Sequence, residues 1–223
     1  KTLISAGDSI VVSVPAFSEY ALNGLVEGAE IREVPADFET GQYDFSALVK
    51  AVDETTRLVW ICNPNNPNGK VKDLNRLLDL MIENNKLLIV DETFMEFVGE
   101  EEKYSLINKI EQTPNLFILK AVTKFFGMPG LRLGYGVTSN KQIIKNIYEY
   151  KEPWTINSFA ENLSNYLFKD KEYINGSKDY YINERKFMLE ELRKISRLKV
   201  YDTDTNFVLI KLDDDEANSL KLE

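Results

Sequence analysis

Apolar stretches of two kinds alternate along the chain as far as Val137. DSIVVSVP, Asp8 to Pro15, is a β-branched run entered from Gly7 and reads as a buried strand. A helix is predicted over Phe17 to Val26, ended by Gly28, then a strand over Ala29 to Val34 and a polar connection from Pro35 to Tyr43. Phe45, Leu48, Val49 and Val52 stand at helical spacing, so Phe45 to Glu54 reads as a short helix. Leu58 to Cys62 is a strand that runs straight into a loop of Asn, Pro and Gly. An amphipathic helix, Leu74 to Asn85, precedes a strand, Lys86 to Val90, that ends in Asp91 and Glu92. A helix over Ser105 to Gln112 leads to the strand 115–120, and Arg132 to Val137 is a candidate further strand with antiparallel pairing one option. Strand and helix in strict alternation argue for an α/β fold, a mostly parallel sheet sandwiched by helices.

From Asn140 the pattern becomes helical: Lys141 to Tyr150, Ser158 to Lys169, and a long Glu172 to Ile195, joined through Pro153 and Trp154. Two short strands, Leu198 to Tyr201 and Asn206 to Leu212, follow. The chain starts at Lys1 within what reads as a helix end and stops at SLKLE within an amphipathic pattern, so an interior fragment of a longer polypeptide is expected.

With 223 residues, 43% of them hydrophobic, the chain is long enough to bury a substantial core. Its 27 basic and 36 acidic residues give a net charge of −9, which argues against general nucleic-acid or anionic-membrane binding while leaving room for a local basic pocket. One cysteine, Cys62, excludes an internal disulfide framework, and a chain without histidine is a poor candidate for a zinc or triad-type site; no metal is expected. Neither a signal peptide nor an apolar run near membrane-spanning length is present, and a cytoplasmic location fits.

The chemistry concentrates in NLFILKAVTKFFGMPGLRLGYGV, Asn115 to Val137. Its strand delivers Thr123 and Lys124 to the sheet's carboxyl edge, and Arg132 follows on a Gly-rich return, where open α/β sheets bind ligands. A lysine there can clamp a phosphate or form a Schiff base with a carbonyl cofactor; the plain alternative is a solvated loop lysine. Asp91, directly after LLIV, emerges at the same edge, as a ligand or as an ordinary helix cap. In NPNNPNG, Asn63 to Gly69, two prolines and a glycine stiffen a turn that can aim the amide of Asn66.

Taken together, NPNNPNG, VDETFMEF (Val90 to Phe97), TKFFGMPGLRLGY and PAFSEY resemble the core of the class I/II aminotransferases, fold-type I pyridoxal-phosphate enzymes, and within them the branch of histidinol-phosphate aminotransferases and threonine-phosphate decarboxylases. The resemblance implies pyridoxal 5'-phosphate as cofactor and Lys124 as its Schiff-base lysine, which, once displaced by substrate, moves the proton at the substrate α-carbon. It implies Asp91 facing the pyridine nitrogen, Asn66 on the phenolic oxygen, Thr123 and Arg132 on the phosphate, and Phe17 stacked on the ring, with a core aromatic as the plain alternative for Phe17. Asn157 in PWTIN stands where relatives place a substrate-facing residue, with a helix cap equally open. Two departures stand out: Ala121 replaces a hydroxyl donor to the phosphate, and Phe94 replaces a tyrosine whose hydroxyl contacts the phenolic oxygen. Residues 1–150 correspond to a cofactor-binding large domain lacking its amino-terminal part, 151–195 to connecting helices, and 196–223 to the start of a smaller α/β domain. The Gly-rich phosphate turn and a partner-subunit tyrosine would precede Lys1, and a carboxylate-binding arginine would follow Glu223. A homodimer acting on a small amino acid or amine, phosphorylated in this branch, is implied, without nucleic-acid or membrane partners.

Transamination and decarboxylation would use the same Lys124, Asp91 and Arg132. Details such as TKFF, MPGLRLGY and PAFSEY lean toward the decarboxylase branch, and aminotransferases are the commoner outcome of such a core; the broad expectation is an aminotransferase. An aminotransferase-like cofactor-sensing domain of a regulator is the alternative from another class.

Overall fold

A computed structural model describes residues 2–37 and 39–212. Six strands form one sheet in the order β2-β1-β3-β4-β5-β6: β1 (Ser9–Val14), β2 (Glu30–Pro35), β3 (Thr56–Cys62), β4 (Leu87–Asp91), β5 (Leu116–Ala121) and β6 (Gly134–Val137). The first five run parallel, and β6 returns antiparallel to β5. The crossovers are the helices α1 (Glu19–Val26), α2 (Phe45–Lys50), α3 (Asn75–Glu83) and the short α4 (Glu101–Tyr104). The order reverses at β1: the chain leaves it toward β2 on one side and comes back to β3 on the other. In open sheets that reversal opens a crevice beyond the carboxyl ends of the two strands.

Alternation along the strands divides the core. Val11, Val59, Ile61, Leu88, Val90 and Ile118 face one way and meet Leu48 of α2 and Leu77, Leu78 and Met81 of α3. Ile10, Val12, Leu58, Cys62, Ile89 and Phe117 face the other way, against Tyr20 of α1 and Ile143 of α6 (Lys141–Tyr150). Successive residues of a strand point to opposite faces, so near-continuous apolar runs are what a sheet covered on both faces requires.

The region predicted as one helix, Ser105 to Gln112, is different. α4 stops at Tyr104, Ser105 is extended, and a 3-10 turn spans Ile107–Gln112. The cause is the buried carboxylate of Glu92, which accepts hydrogen bonds from the Ser105 hydroxyl (2.7 Å) and the Leu106 amide (3.0 Å) and draws the chain out of helical geometry.

After β5 the chain makes one helical turn, α5 (Val122–Phe125), and then α6, α7 (Ser158–Leu167) and the long α8 (Lys171–Arg193) follow. Asn140, Asn157 and Asp170 cap the last three through side-chain oxygens that accept backbone N–H groups. The two strands predicted beyond α8 shrink to a two-residue pair, β7 (Lys199–Val200) with β8 (Ile210–Lys211). Between them, Thr203 to Thr205 hydrogen-bond to the Asn/Pro/Gly loop instead of to a strand. SLKLE lies outside the described residues.

Candidate active site

A cavity of about 120 Å³, open to solvent, lies beyond the carboxyl ends of β1, β3, β4 and β5 and is lined by Phe17, Tyr20, Cys62, Asn66, Asp91, Thr93, Phe94 and Lys124. Four separate segments, each leaving a strand at the same sheet edge, supply these residues, so the topology gathers them from 124 − 17 = 107 positions of sequence.

Asp91 is the last residue of β4, in register with Cys62 of β3 and Leu119 of β5. Its Oδ2 accepts the Tyr20 hydroxyl at 2.7 Å and its Oδ1 accepts the Thr93 N–H at 2.9 Å. A carboxylate with two donors still has free lone pairs, and Asp91 is only half-buried, so it can take a further N–H from the cavity. Tyr20 is held by stacking on Trp60 at 4.8 Å and by an edge contact with Phe17 at 5.7 Å. Burial, then the neighbouring Cys62 and Asp91, push the Tyr20 phenol far above its ordinary range, so it is a donor at every working pH. Burial and Asp91 likewise push the Cys62 thiol up to about 12.

Lys124 sits on α5, exposed at the cavity, with its Nζ 5.9 Å from the centre of the Phe94 ring. Among the described residues no carboxylate pairs with it. Asn66 lies on a loop closed by Gly69 N–H to the Asn65 carbonyl (2.7 Å) and Asn65 N–H to the Lys70 carbonyl (2.9 Å). Its carboxamide has no partner among the described residues and is available to a ligand. Phe17 precedes α1 and is 48% exposed, presenting an aromatic surface to the cavity.

Of the residues singled out from sequence, Lys124, Asp91, Asn66 and Phe17 therefore meet, while Thr123, Arg132 and Asn157 do not line the cavity. Arg132 is exposed, in a left-handed conformation (φ 53) unusual for a non-glycine residue, and donates to the Pro129 carbonyl at 3.3 Å. Asn157 caps α7 by accepting the Ala160 N–H and donates to the Leu131 carbonyl at 3.0 Å, which ties α7 to the turn that carries Arg132. Thr123 stands beside Lys124 on α5, half-buried. Sequence reasoning passed over Tyr20, Cys62 and Thr93. Tyr20 was within reach as the last residue of PAFSEY, three positions after Phe17; Cys62 and Thr93 carry no sequence signal beyond lying at strand ends.

The family model described as "Aminotransferase class I and II" matches residues 1–221. A Caldanaerobacter subterraneus protein with a provisional threonine-phosphate decarboxylase name is 38% identical over 206 residues, 91% of this chain and 56% of that protein. The histidinol-phosphate aminotransferase of Brevibacillus brevis is 31% identical over 221 residues, 97% of this chain and 60% of that enzyme. The crystal structure of the histidinol-phosphate aminotransferase from Clostridium acetobutylicum superposes with a TM-score of 0.86 at 34% identity, covering 96% of this chain and 66% of that one. The chain thus spans somewhat more than half the length of the curated relatives it matches.

Proposed function

The chain belongs to the aminotransferase class I and II family, and on that premise we propose that it is the core of a pyridoxal-phosphate enzyme that transfers an amino group from a small, phosphorylated amino acid or amine to a keto acid. The observation that carries this reading is the convergence of a free amine, a carboxylate, a carboxamide and an exposed aromatic face on one cavity: Lys124, Asp91, Asn66 and Phe17. That set fits the cofactor. An aldehyde needs an amine without a carboxylate partner, a pyridinium N–H needs an anion with a vacant lone pair, a phenolic oxygen needs a donor, and a flat ring needs an aromatic wall.

When bound, the cofactor supplies an electron sink that makes the substrate α-carbon acidic. The chain's residues do the rest. Lys124 would hold the cofactor through its amine and, once displaced by substrate, would serve as the base that takes the proton from the substrate α-carbon and the acid that delivers it onward rather than back to that carbon. Asp91, oriented by Tyr20 and Thr93, would keep the ring nitrogen of a bound cofactor protonated. Asn66 would donate to the phenolic oxygen alone, because Phe94 has no hydroxyl to share that contact. By family resemblance rather than by cavity lining, Thr123 and Arg132 are assigned to the phosphate, and Asn157, whose carboxamide here caps α7 and holds the Leu131 carbonyl, to the substrate side. Residues 1–150 are assigned to the cofactor-binding domain, 151–195 to the connection and 196–223, of which 213–223 lie outside the described residues, to the start of a smaller domain; a homodimer in the cytoplasm is the expected setting. No described helix is long and apolar enough to cross a membrane.

A second reading, decarboxylation of threonine O-phosphate, is favoured by the 38% identity to the Caldanaerobacter protein. The deciding experiment loads the full-length protein with pyridoxal phosphate and offers threonine O-phosphate in one arm, and histidinol phosphate with a keto acid in the other. Keto-acid-dependent turnover of histidinol phosphate supports the aminotransferase. Sustained carbon dioxide release from threonine O-phosphate replaces it with the decarboxylase, and no cofactor binding at all overturns both.

A further inference from the structure

The segment between β7 and β8 lies against the outer side of the loop that carries Asn66. Asp204 donates its N–H to the Gly69 carbonyl at 2.9 Å, its carboxylate accepts the Val71 N–H at 3.0 Å, and it pairs with Lys70 Nζ at 3.1 Å. Thr203 and Thr205, joined through their hydroxyls at 3.0 Å, close over Gly69 so tightly that a Cβ there would lie 2.0 Å from Thr203 Oγ1 and 2.7 Å from Thr205 Oγ1. Gly69 also has φ +68, so glycine is required there on both counts. From the other side, Arg185 of α8 donates to the carbonyls of Asp204 (2.6 Å), Phe97 (3.2 Å) and Thr205 (3.3 Å) and holds the segment in place. At the segment's end Phe207 meets Phe94 edge-on at 5.0 Å, and Phe94 is the ring beneath the Lys124 amine.

Asn66 makes no side-chain hydrogen bond of its own among the described residues, so the backbone from Asn65 to Val71 decides where its carboxamide points. One end of that stretch is anchored by Asn65, whose side chain donates to the Pro15 carbonyl at 3.0 Å. The other end, Gly69 to Val71, is anchored by Asp204, and a hydrogen bond to a carboxylate is stronger than one to a neutral acceptor. We propose that Asp204 is a positioning residue for Asn66: through Gly69, Lys70 and Val71 it sets the aim of the Asn66 amide into the cavity, and so couples the segment after α8 to cofactor binding. The inference rests on the pyridoxal-phosphate reading above.

A purely structural clip would have the same contacts, and a double-mutant cycle separates the two roles. Pyridoxal phosphate is titrated into the full-length protein and into Asp204→Ala, Asn66→Ala and the double variant, followed by cofactor absorbance. Asp204→Ala is expected to weaken binding about tenfold, and Asp204→Asn, which keeps an oxygen for the Val71 N–H, about threefold. In the Asn66→Ala background the Asp204 substitution is expected to cost less than about twofold, because the contact it positions is already gone. Equal losses in both backgrounds, or unchanged binding in Asp204→Ala, would overturn the inference. Should Asp204→Ala not fold, Asp204→Asn takes its place in the cycle under the same criterion of non-additivity. Failure of the unmodified protein to bind pyridoxal phosphate would overturn the functional reading and the inference with it; binding that ignores Asp204 overturns the inference alone.

Discussion

Lys120 in β5 and Lys124 in the α5 turn that follows it stand four residues apart and meet opposite surroundings. Lys120 is 7% exposed, with Nζ 3.2 Å from carboxylate oxygens of Glu96 and Glu101 and 3.4 Å from Glu92. Lys178 of α8 reaches the same cluster through Glu101 at 2.7 Å. Burial opposes the Lys120 charge, but Glu96, Glu92 and Glu101 together outweigh it and hold the ammonium above the usual lysine range. Lys124 is exposed over the face of Phe94 with no carboxylate beside it among the described residues. The strand next door repeats the division: Asp91 points into the cavity toward Tyr20, while Glu92, adjacent and therefore on the opposite face, points into the cluster around Lys120. A lysine locked among carboxylates is structure, and one left without them is available for chemistry.

Substitution of the two lysines tests that division most directly. Lys124→Ala is expected to lower turnover by about 10⁴, the upper range for a lost general acid–base group, and to abolish the borohydride-fixed cofactor label on the peptide carrying residue 124, while leaving thermal stability nearly unchanged. Lys120→Met should do the reverse. Leaving buried carboxylates without their cation costs about 3–5 kcal/mol, readable by denaturant titration, and the label on Lys124 should persist in whatever fraction stays folded. The sign with pH follows from the raised folded pKa. The stabilisation by Lys120 is fully present below its unfolded value of 10.5 and is lost as pH rises through the folded value, so the gap between the unmodified protein and Lys120→Met should narrow only in strong alkali. A Lys120→Met protein as stable as the parent would break the comparison.

Sequence made the cavity side of this contrast legible and left the buried side hidden. The alternation of apolar runs placed every strand of the six-stranded sheet, and their ends delivered Asp91, Asn66 and Lys124 to one edge. Nothing in FILKAV distinguishes Lys120 from a solvated lysine, because its partners come from Glu92, Glu96 and Glu101, brought together only by the fold. The same ignorance of Glu92 produced a single helix over Ser105 to Gln112 where the chain breaks to reach that carboxylate. Tyr20 and Asp204 were missed for a related reason. Each acts on a residue distant in sequence, Asp91 and Val71 respectively, and single-sequence periodicity has no access to such pairs.

Cys62 offers a smaller and independent probe of the cavity wall. Its thiol is raised from 9.0 to about 12, by burial first and Asp91 second. Because the thiolate is the reacting form, modification by a disulfide reagent at pH 8 should run about a thousandfold slower than in the unfolded chain. The protection is fully present below pH 9 and should fade as pH climbs toward 12, with stability falling in the same window. Fast labelling at pH 8 would mean that the wall beside Asp91 opens.

The finest test uses the donors on the two adjacent acids. Ser105→Ala removes one hydrogen bond from Glu92, 2.7 Å long and fully buried, and Tyr20→Phe removes one of the same length from Asp91 at the cavity edge. A bond to a buried carboxylate is worth about 1.5–3 kcal/mol. Ser105→Ala should lose about that in stability with unchanged affinity for pyridoxal phosphate. Asp91 is half-exposed, so water replaces part of what the Tyr20 phenol supplied, and the stability cost should fall below about 1 kcal/mol. The loss moves instead to the cofactor: with only the Thr93 N–H left to orient it, the Asp91 carboxylate meets the ring nitrogen less well aimed, for an expected weakening of about fivefold. The Trp60 stack survives in phenylalanine, which confines the change to the hydroxyl. If both variants lost stability and neither lost cofactor affinity, Asp91 would belong with Glu92 as structure, and the division drawn between the two lysines would not extend to the acids that face them.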